Sequence, residues 1–404
     1  MHKTASTDVV IFGGGIAGLW LLNRLRVAGY AALLFESGAL GGGQTGKSQG
    51  IIHGGMKYAL TGAINTEALA MADMPGIWRD CLEGKGELDL SAVPVLSRHQ
   101  YLWSPQKFVS KLTGFLAGAA LSSKVDPVAK KDYPKIFQNP AFKGEVYALN
   151  EMVIDVPVLI RELAKANQDA VYQIEPLNDQ ELKFDAQGSL RSATIYFAGK
   201  AIEISAQHFV FTAGSGNEII IKKLNDESLA MQRRPLHMVM VKTPFDYDLY
   251  AHCMGLGSRP RITITTHQTL NGKKIWYLGG QLAEDGVDRS TEEQVNAARK
   301  ELMTLFPWLD FTGAEFATFH VDRAEPEQRG LLKPETSFAK TIHNMTIAWP
   351  TKLALAPKLA REIMEILTKK NLVKHASDTR ELRIWPMPPV ASPMWEELFC
   401  KKEN

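Results

Sequence analysis

Gly13, Gly15 and Gly18, spaced G-x-G-x-x-G, and Glu36 together make a site for a diphosphate. Gly13 permits a tight turn, Gly15 lets the backbone approach a pyrophosphate, and Gly18 allows a helix to pack closely on a strand. Ile16 and Ala17 open that helix, so its free N–H groups and positive dipole end face the phosphates. Glu36 is placed to accept hydrogen bonds from a ribose, and its carboxylate repels a 2′-phosphate. A dinucleotide is the expected ligand. His53 lies between two apolar residues and two glycines, and an imidazole that titrates near neutrality suits proton acceptance. Lys57 offers a cation to an anionic substrate and Tyr58 a hydroxyl donor. Lys352 is expected at the start of a helix, where a cation opposes the dipole unless an anion or an electron-rich ring lies near. Arg323 is a further cation, and Asp322 and Glu325 beside it could tie it into an internal ion pair. Arg329 is the fallback. His237, His252, Arg259 and Arg261 are candidates among which the sequence does not choose.

These residues need a particular frame. Asp8 to Phe12 is a β-branched run leading into the glycine turn, Leu19 to Val27 reads as an apolar helix, and Ala32 to Phe35 is a second strand ending at Glu36. That order begins a parallel α/β sheet. Ser37 to Gly50 follows, with Thr45, Gly46, Lys47 and Ser48 among small and flexible residues, and runs on into Ile51. Glycine at this density costs backbone entropy and reads as a backbone path against a flat cofactor. Thr66 to Arg79 reads as a helix, and Asp155 as the cap of another at Val158 to Asn167. Strands are expected at Val171 to Ile174, Glu181 to Phe184, Ser192 to Phe197 and Ala201 to Ser205. A fifth, His208 to Phe211, opens at Thr212-Ala213-Gly214, as where a sheet strand ends beside a cofactor. From Ala92 to Tyr147 the composition changes to prolines, lysines and aromatics. Arg234 to Phe319 alternates in long strands (Leu236 to Val241, Arg261 to Thr265, Lys274 to Gly280) around a charged helix, Thr291 to Leu305, and reads as antiparallel sheet. Met345 to Trp349 is a strand, 350–352 a turn, and Leu353 to Leu367 the last long helix. The proline- and tryptophan-rich C-terminal stretch reads as an arm pinned on the protein's own surface.

Composition narrows the classes. The chain has 404 residues, 45% of them hydrophobic, enough for more than one core. A formal net charge of +2 gives no electrostatic case for nucleic acid. Cys81, Cys253 and Cys400 lack metal-type spacing and fit a reducing compartment. The first strand begins almost at once, so no signal peptide is expected, and no apolar run reaches transmembrane length. A cytoplasmic location is expected, with a peripheral membrane contact through the C-terminal arm as the alternative.

Four motifs occur in a fixed order: the glycine turn ending at Glu36, Gly46-Lys47-Ser48-x-Gly50-x-x-His53-Gly54-Gly55-x-Lys57-Tyr58, Thr212-Ala213-Gly214, and Thr351-Lys352-Leu353. With them the chain, from about Val9 to Leu367, resembles the flavoprotein family of D-amino-acid oxidase, L-2-hydroxyglutarate dehydrogenase and FAD-dependent glycerol-3-phosphate dehydrogenase. The second and fourth motifs look most like the glycerol-3-phosphate branch. There Lys57 would be arginine, a glycine pair would precede the lysine, and two threonines would stand at Ala354-Leu355. The resemblance implies FAD held by Gly13, Gly15, Ile16, Ala17, Gly18, Glu36, Ser37, Thr45, Gly46, Lys47, Ser48, Gly50, Ile51, Ala213, Gly214, Thr351, Lys352 and Leu353. It implies an α/β fold with a Rossmann-like FAD-binding domain (parallel sheet, helices and a β-meander) assembled from 1–90, 148–228 and 318–370. A mostly antiparallel α+β substrate domain, 91–147 and 229–317, and an arm, 371–404, complete it. His53 would lie beside the isoalloxazine ring as the base, Lys57 and Arg323 would hold the substrate's anion, Tyr58 would line the substrate space, and Lys352 would tune the flavin. The implied reaction is hydride transfer from a 2-hydroxy acid or a glycerol-3-phosphate-like substrate. The alternatives are an amino acid or amine substrate, or a flavin-bound module without turnover. The electron acceptor stays open between oxygen, a quinone and a protein.

Overall fold

A computed structural model describes residues 3–54, 71–105, 125–226, 228–255, 259–327, 336–375 and 377–399. Lys57, Tyr58, Arg329 and the first part of the helix expected at Thr66 to Arg79 lie outside the described residues.

Two large sheets carry the structure. In the first, strand β1 (Thr4–Phe12) is central. Helix α1 (Ile16–Val27) leads from it to the parallel strand β2 (Ala32–Glu36), and Val171–Gln173 pairs parallel to β2. On the other side β1 pairs parallel with Lys200–Phe211, and that strand pairs parallel with Met345–Trp349. Strands buried on both faces read as unbroken apolar runs, and here Val9, Val10, Ile11, Phe209, Val210 and Phe211 are all inaccessible. Glu181–Phe184 and Leu190–Phe197 extend the sheet as an antiparallel meander. The sequence separated Ala201 to Ser205 from His208 to Phe211, but they form one strand. Ala206 and Gln207 break the apolar pattern, yet Ala206 keeps register with Thr7.

The second sheet has eight strands in the order Glu315–Pro326, Met231–Lys242, Lys274–Gly279, Pro260–Gln268, Ala251–Met254, Gln100–Ser104, Glu145–Leu149 and Val125–Pro127. All its pairings are antiparallel except Ala251–Met254 with Gln100–Ser104. Glu315–Pro326 belongs to this sheet along its whole length, past the boundary expected at 317. Helix Thr291–Leu305 starts at a full capping box, Ser290 with Glu293, and buries Ala298, Leu302 and Leu305 in a second core with Trp103, Trp276 and Phe306. A small third sheet joins β3 (Ile51–Ile52), Met152–Ile154 and Val95–Ser97. Asp155 caps helix Val156–Lys165, accepting from Val158 N at 3.0 Å.

The last long helix differs from its expected start. Leu353–Leu355 is a 3-10 turn and the helix proper is Ala356–Lys369, with Pro357 in its first turn. Lys352 therefore precedes a 3-10 turn and stands one turn before the helix. Among the described residues no helix is long and apolar enough to cross a membrane.

Candidate active site

The carboxyl ends of the parallel strands converge on a cleft of about 1230 Å³, lined by Phe12, Glu36, Ile174, Thr212 and Trp349 at those ends. Open α/β sheets bind ligands at this edge, and the volume exceeds the ~300–1,000 Å³ of pockets for drug-sized molecules. Helix α1 points its N-terminus into the cleft. Gly15 at its cap contributes no side chain, and Thr45 Oγ1 accepts the Ile16 N–H at 3.0 Å. The remaining first-turn N–H groups have no partner inside the helix.

Each glycine of the turn has its own steric reason. Gly13 adopts φ +111°, and a Cβ there would stand 2.6 Å from Thr212 O. A Cβ on Gly18 would stand 2.0 Å from Gly13 O, so this glycine serves the packing of α1 on the strand ends and is not part of the cleft wall. At Gly15 the nearest atom to a Cβ would be Thr45 Oγ1 at 3.2 Å, which leaves the backbone open toward the cleft. Glu36 is fixed by two backbone amides, Gly14 N at 2.6 Å and Gly38 N at 2.7 Å, one on each carboxylate oxygen.

The loop from Ser37 to Gln49 forms one side of the cleft, including Ser37, Thr45, Gly46, Lys47 and Ser48. It is held to the antiparallel sheet where Tyr277 donates to Lys47 O at 2.5 Å and Gln49 Nε2 to Tyr277 O at 2.8 Å. Ser48 Oγ is buried with no hydrogen-bond partner among the described residues, an orphan that a bound polar ligand would satisfy. Opposite, Ala213 and Gly214 meet the 349–353 turn. Trp349 Nε1 donates to Gly214 O at 3.0 Å, while Asn217 accepts from Ala213 N and donates to Ala348 O. Thr351 sits in the left-handed region at φ +60°, unusual for a β-branched residue, with its hydroxyl on Thr336 O. Thr351, Lys352 and Leu353 all line the cleft. Gly50 and Ile51 do not. Gly50, at φ +73°, turns the loop tightly against Ile154 O, and Ile51 enters β3.

Arg323 also lines the cleft. The carboxylates expected to compete for it are engaged elsewhere: Asp322 pairs with Arg233 at 2.8 Å and Glu325 with Arg234 at 3.0 Å. Arg323 Nε donates to Arg234 O at 3.4 Å.

His53 is not on the cleft wall; it follows β3, which packs on the Leu353–Leu355 turn. Its Nδ1 lies 3.1 Å from Glu151 Oε2, and Glu151 Oε1 accepts the Gly54 N–H at 3.0 Å. His252 reaches the same carboxylate from the antiparallel sheet, Nε2 to Oε2 3.9 Å. Glu151 was missed in the sequence; its one signal is a lone acid between the apolar runs Val146–Leu149 and Met152–Ile154. Of the other undecided residues, His237 is held by Gly286 O and Thr318, Arg259 by Glu284 and Arg261 by Glu301.

The C-terminal arm also walls the cleft, a role its sequence did not suggest. Pro389 to Ser392, Met394 and Glu397 line it. Leu40 N donates to Pro389 O and Ala391 N to Leu40 O. The arm is then anchored on the antiparallel sheet, where Trp395 stacks on His267 at 4.4 Å and donates to Gln268 O. Burial lowers the His267 pKa to about 3. A folded-state pKa below the unfolded value of ~6.5 means that the unfolded chain binds the extra proton first, so stability falls as pH drops below ~6.5. Between pH 7 and 5 this histidine alone is expected to cost about 2 kcal/mol, read as a lower melting temperature. His267→Leu is expected to flatten that dependence; an unchanged pH slope would refute the assignment.

An α/β dinucleotide-binding protein with a separate antiparallel sheet beside its cleft is the class that this architecture defines. The chain belongs to the FAD dependent oxidoreductase family, whose model matches residues 8–323. It is 48% identical over 405 residues to a probable FAD-dependent oxidoreductase of Pseudomonas aeruginosa, PA4991, covering 99% of this chain and 100% of that one. The crystal structure of PA4991 superposes with a TM-score of 0.84 at 44% identity, over 98% and 99% of the two chains. Two more distant structures share the fold. Glycine oxidase from Geobacillus kaustophilus has a TM-score of 0.63 at 15% identity, over 94% of this chain and 98% of that one. Reduced L-α-glycerophosphate oxidase from Mycoplasma pneumoniae with FAD bound has 0.62 at 13%, over 90% and 95%. The protein is an FAD-dependent oxidoreductase, and the open backbone at Gly15, the orphan Ser48 hydroxyl and the cleft volume fit that cofactor.

Proposed function

We propose that the enzyme oxidises a small anionic substrate, a 2-hydroxy acid or a glycerol-3-phosphate-like molecule, with His53 as the base. FAD, when bound, supplies the hydride acceptor at N5. His53 Nε2 takes the proton of the substrate's hydroxyl as its carbon gives up hydride. Arg323 in the cleft wall holds the substrate's anion, with Lys57 and Tyr58 assigned to the same substrate space from the sequence. Lys352, beside the 353–355 turn, supplies positive charge where reduced flavin gathers negative charge. Gly13, Gly15, Ile16, Ala17, Glu36, Ser37 and the 45–48 loop grip the nucleotide; Ala213, Gly214, Thr351 and Leu353 frame its far end. Gly18, Gly50 and Ile51 act by shaping the backbone. Residues 1–90 and 148–228, with the chain from beyond Pro326 to 370, form the cofactor side. Residues 91–147 and 229–326 form the substrate side, and 371–404 the arm. A cytoplasmic enzyme fits this reading.

The observation that carries the reading is the buried carboxylate of Glu151 against His53, the arrangement of an oriented base. An amine substrate is the second reading, because the fold is shared with glycine oxidase as well as glycerophosphate oxidase. The test is anaerobic bleaching of the purified yellow protein by a panel of 2-hydroxy acids, glycerol phosphates and amino acids, followed by reoxidation with oxygen or a quinone. Bleaching by amino acids alone would transfer the assignment to amine oxidation. A flavin that none of them reduces would leave the module without turnover in its place.

A further inference from the structure

We infer that Glu151 is a positioning residue that fixes the proton of His53 on Nδ1, with His252 set against the same carboxylate from the antiparallel sheet. The inference rests on His53 being the base and extends it to residues on two other segments. An ionised carboxylate can only accept hydrogen bonds, so at 3.1 Å from Glu151 Oε2 the Nδ1 of His53 carries its hydrogen. Nε2 then keeps the lone pair that a base needs.

The carboxylate is held still for this. Its other oxygen accepts the Gly54 N–H, so the residue after His53 is gripped by the same group that orients the ring. Glu151 is 3% exposed. Burial pushes its carboxyl up, but the charges and hydrogen bonds of His53 and His252 outweigh this and leave it well below the ordinary carboxylate range.

His252 enters from strand Ala251–Met254, its ring 6.1 Å from that of His53 and 20° from parallel. Thr263 Oγ1 stands 2.8 Å from its Nδ1, fixing the ring with Nε2 toward Glu151. The charge balance follows. With both imidazoles neutral the cluster carries one negative charge, and a proton arriving on His53 Nε2 makes it neutral. One carboxylate thus compensates one imidazolium.

The test is ¹⁵N NMR of the histidine-labelled holoprotein, with His53 assigned from the signals missing in His53→Asn. The expected result in the unmutated protein is a neutral His53 protonated on Nδ1. In Glu151→Gln the expected result is a mixture of tautomers, because the amide can donate as well as accept. His252→Gln is expected to keep the Nδ1 proton and serves if Glu151→Gln does not fold. A His53 protonated on Nε2, or a tautomer indifferent to Glu151→Gln, overturns the inference. So does a His53 signal that moves on chelation and returns with Zn²⁺, since the three donor atoms lie within 4.8 Å of one another and would then be a metal site. Failure of the base assignment itself would appear separately, as unchanged flavin reduction in His53→Asn.

Discussion

Changing Gly15 to alanine is expected to yield a folded protein stripped of flavin, while the same change at Gly18 is expected to damage the fold itself. The two glycines are three residues apart on one helix end, yet an added Cβ meets different surroundings. At Gly15 it would touch only Thr45 Oγ1, at 3.2 Å, and otherwise occupy the space where a diphosphate approaches the backbone. Flavin affinity should fall about 100-fold, roughly 2.8 kcal/mol, with little change in the melting of the flavin-free protein. At Gly18 the Cβ would lie 2.0 Å from Gly13 O and 2.8 Å from Thr212 Oγ1. A backbone carbonyl in a strand end cannot step aside as a flexible side chain can, so α1 must shift off the sheet. The cost is about 3 kcal/mol, near the upper part of the overpacking range. Flavin fluorescence titration and thermal melts of both apoproteins read the contrast; equal melting losses would remove the distinction.

The second large effect belongs to His53. Asparagine there keeps a polar side chain of similar reach but no titratable nitrogen. Anaerobic flavin reduction by the substrate found in the panel should slow by about 10²–10⁴-fold, the usual share of a positioned base. The visible spectrum and the flavin content should be unchanged, since His53 is not on the cleft wall. A mutant that loses its flavin instead would make this histidine a part of the cofactor's seat.

How much could be read in advance depended on whether a signal was local. The turn from β1 through α1 to β2 is written in adjacent residues, and the strands Glu181–Phe184 and Met345–Trp349 and the helix Thr291–Leu305 appear at the residues expected. Each is bounded by turn or capping residues that set its ends. The helix expected from Leu353 begins later because Pro357 favours the first helical turn, a signal that was present and overlooked. What stayed hidden was contact between distant segments. His53 and Glu151 are 98 residues apart, and nothing near either one names the other. Arg323 illustrates the same gap. In the sequence its acidic neighbours were open as its partners, and strand register gives both to the adjacent Met231–Lys242 strand, where Arg233 and Arg234 stand ready.

The arm that closes one side of the cleft comes late in the chain, Pro389 to Glu397, after every other residue of the wall. A nascent chain leaving the ribosome therefore presents a crevice that is open along one flank until the arm itself has emerged. Once Trp395 has settled over His267, that flank has its wall.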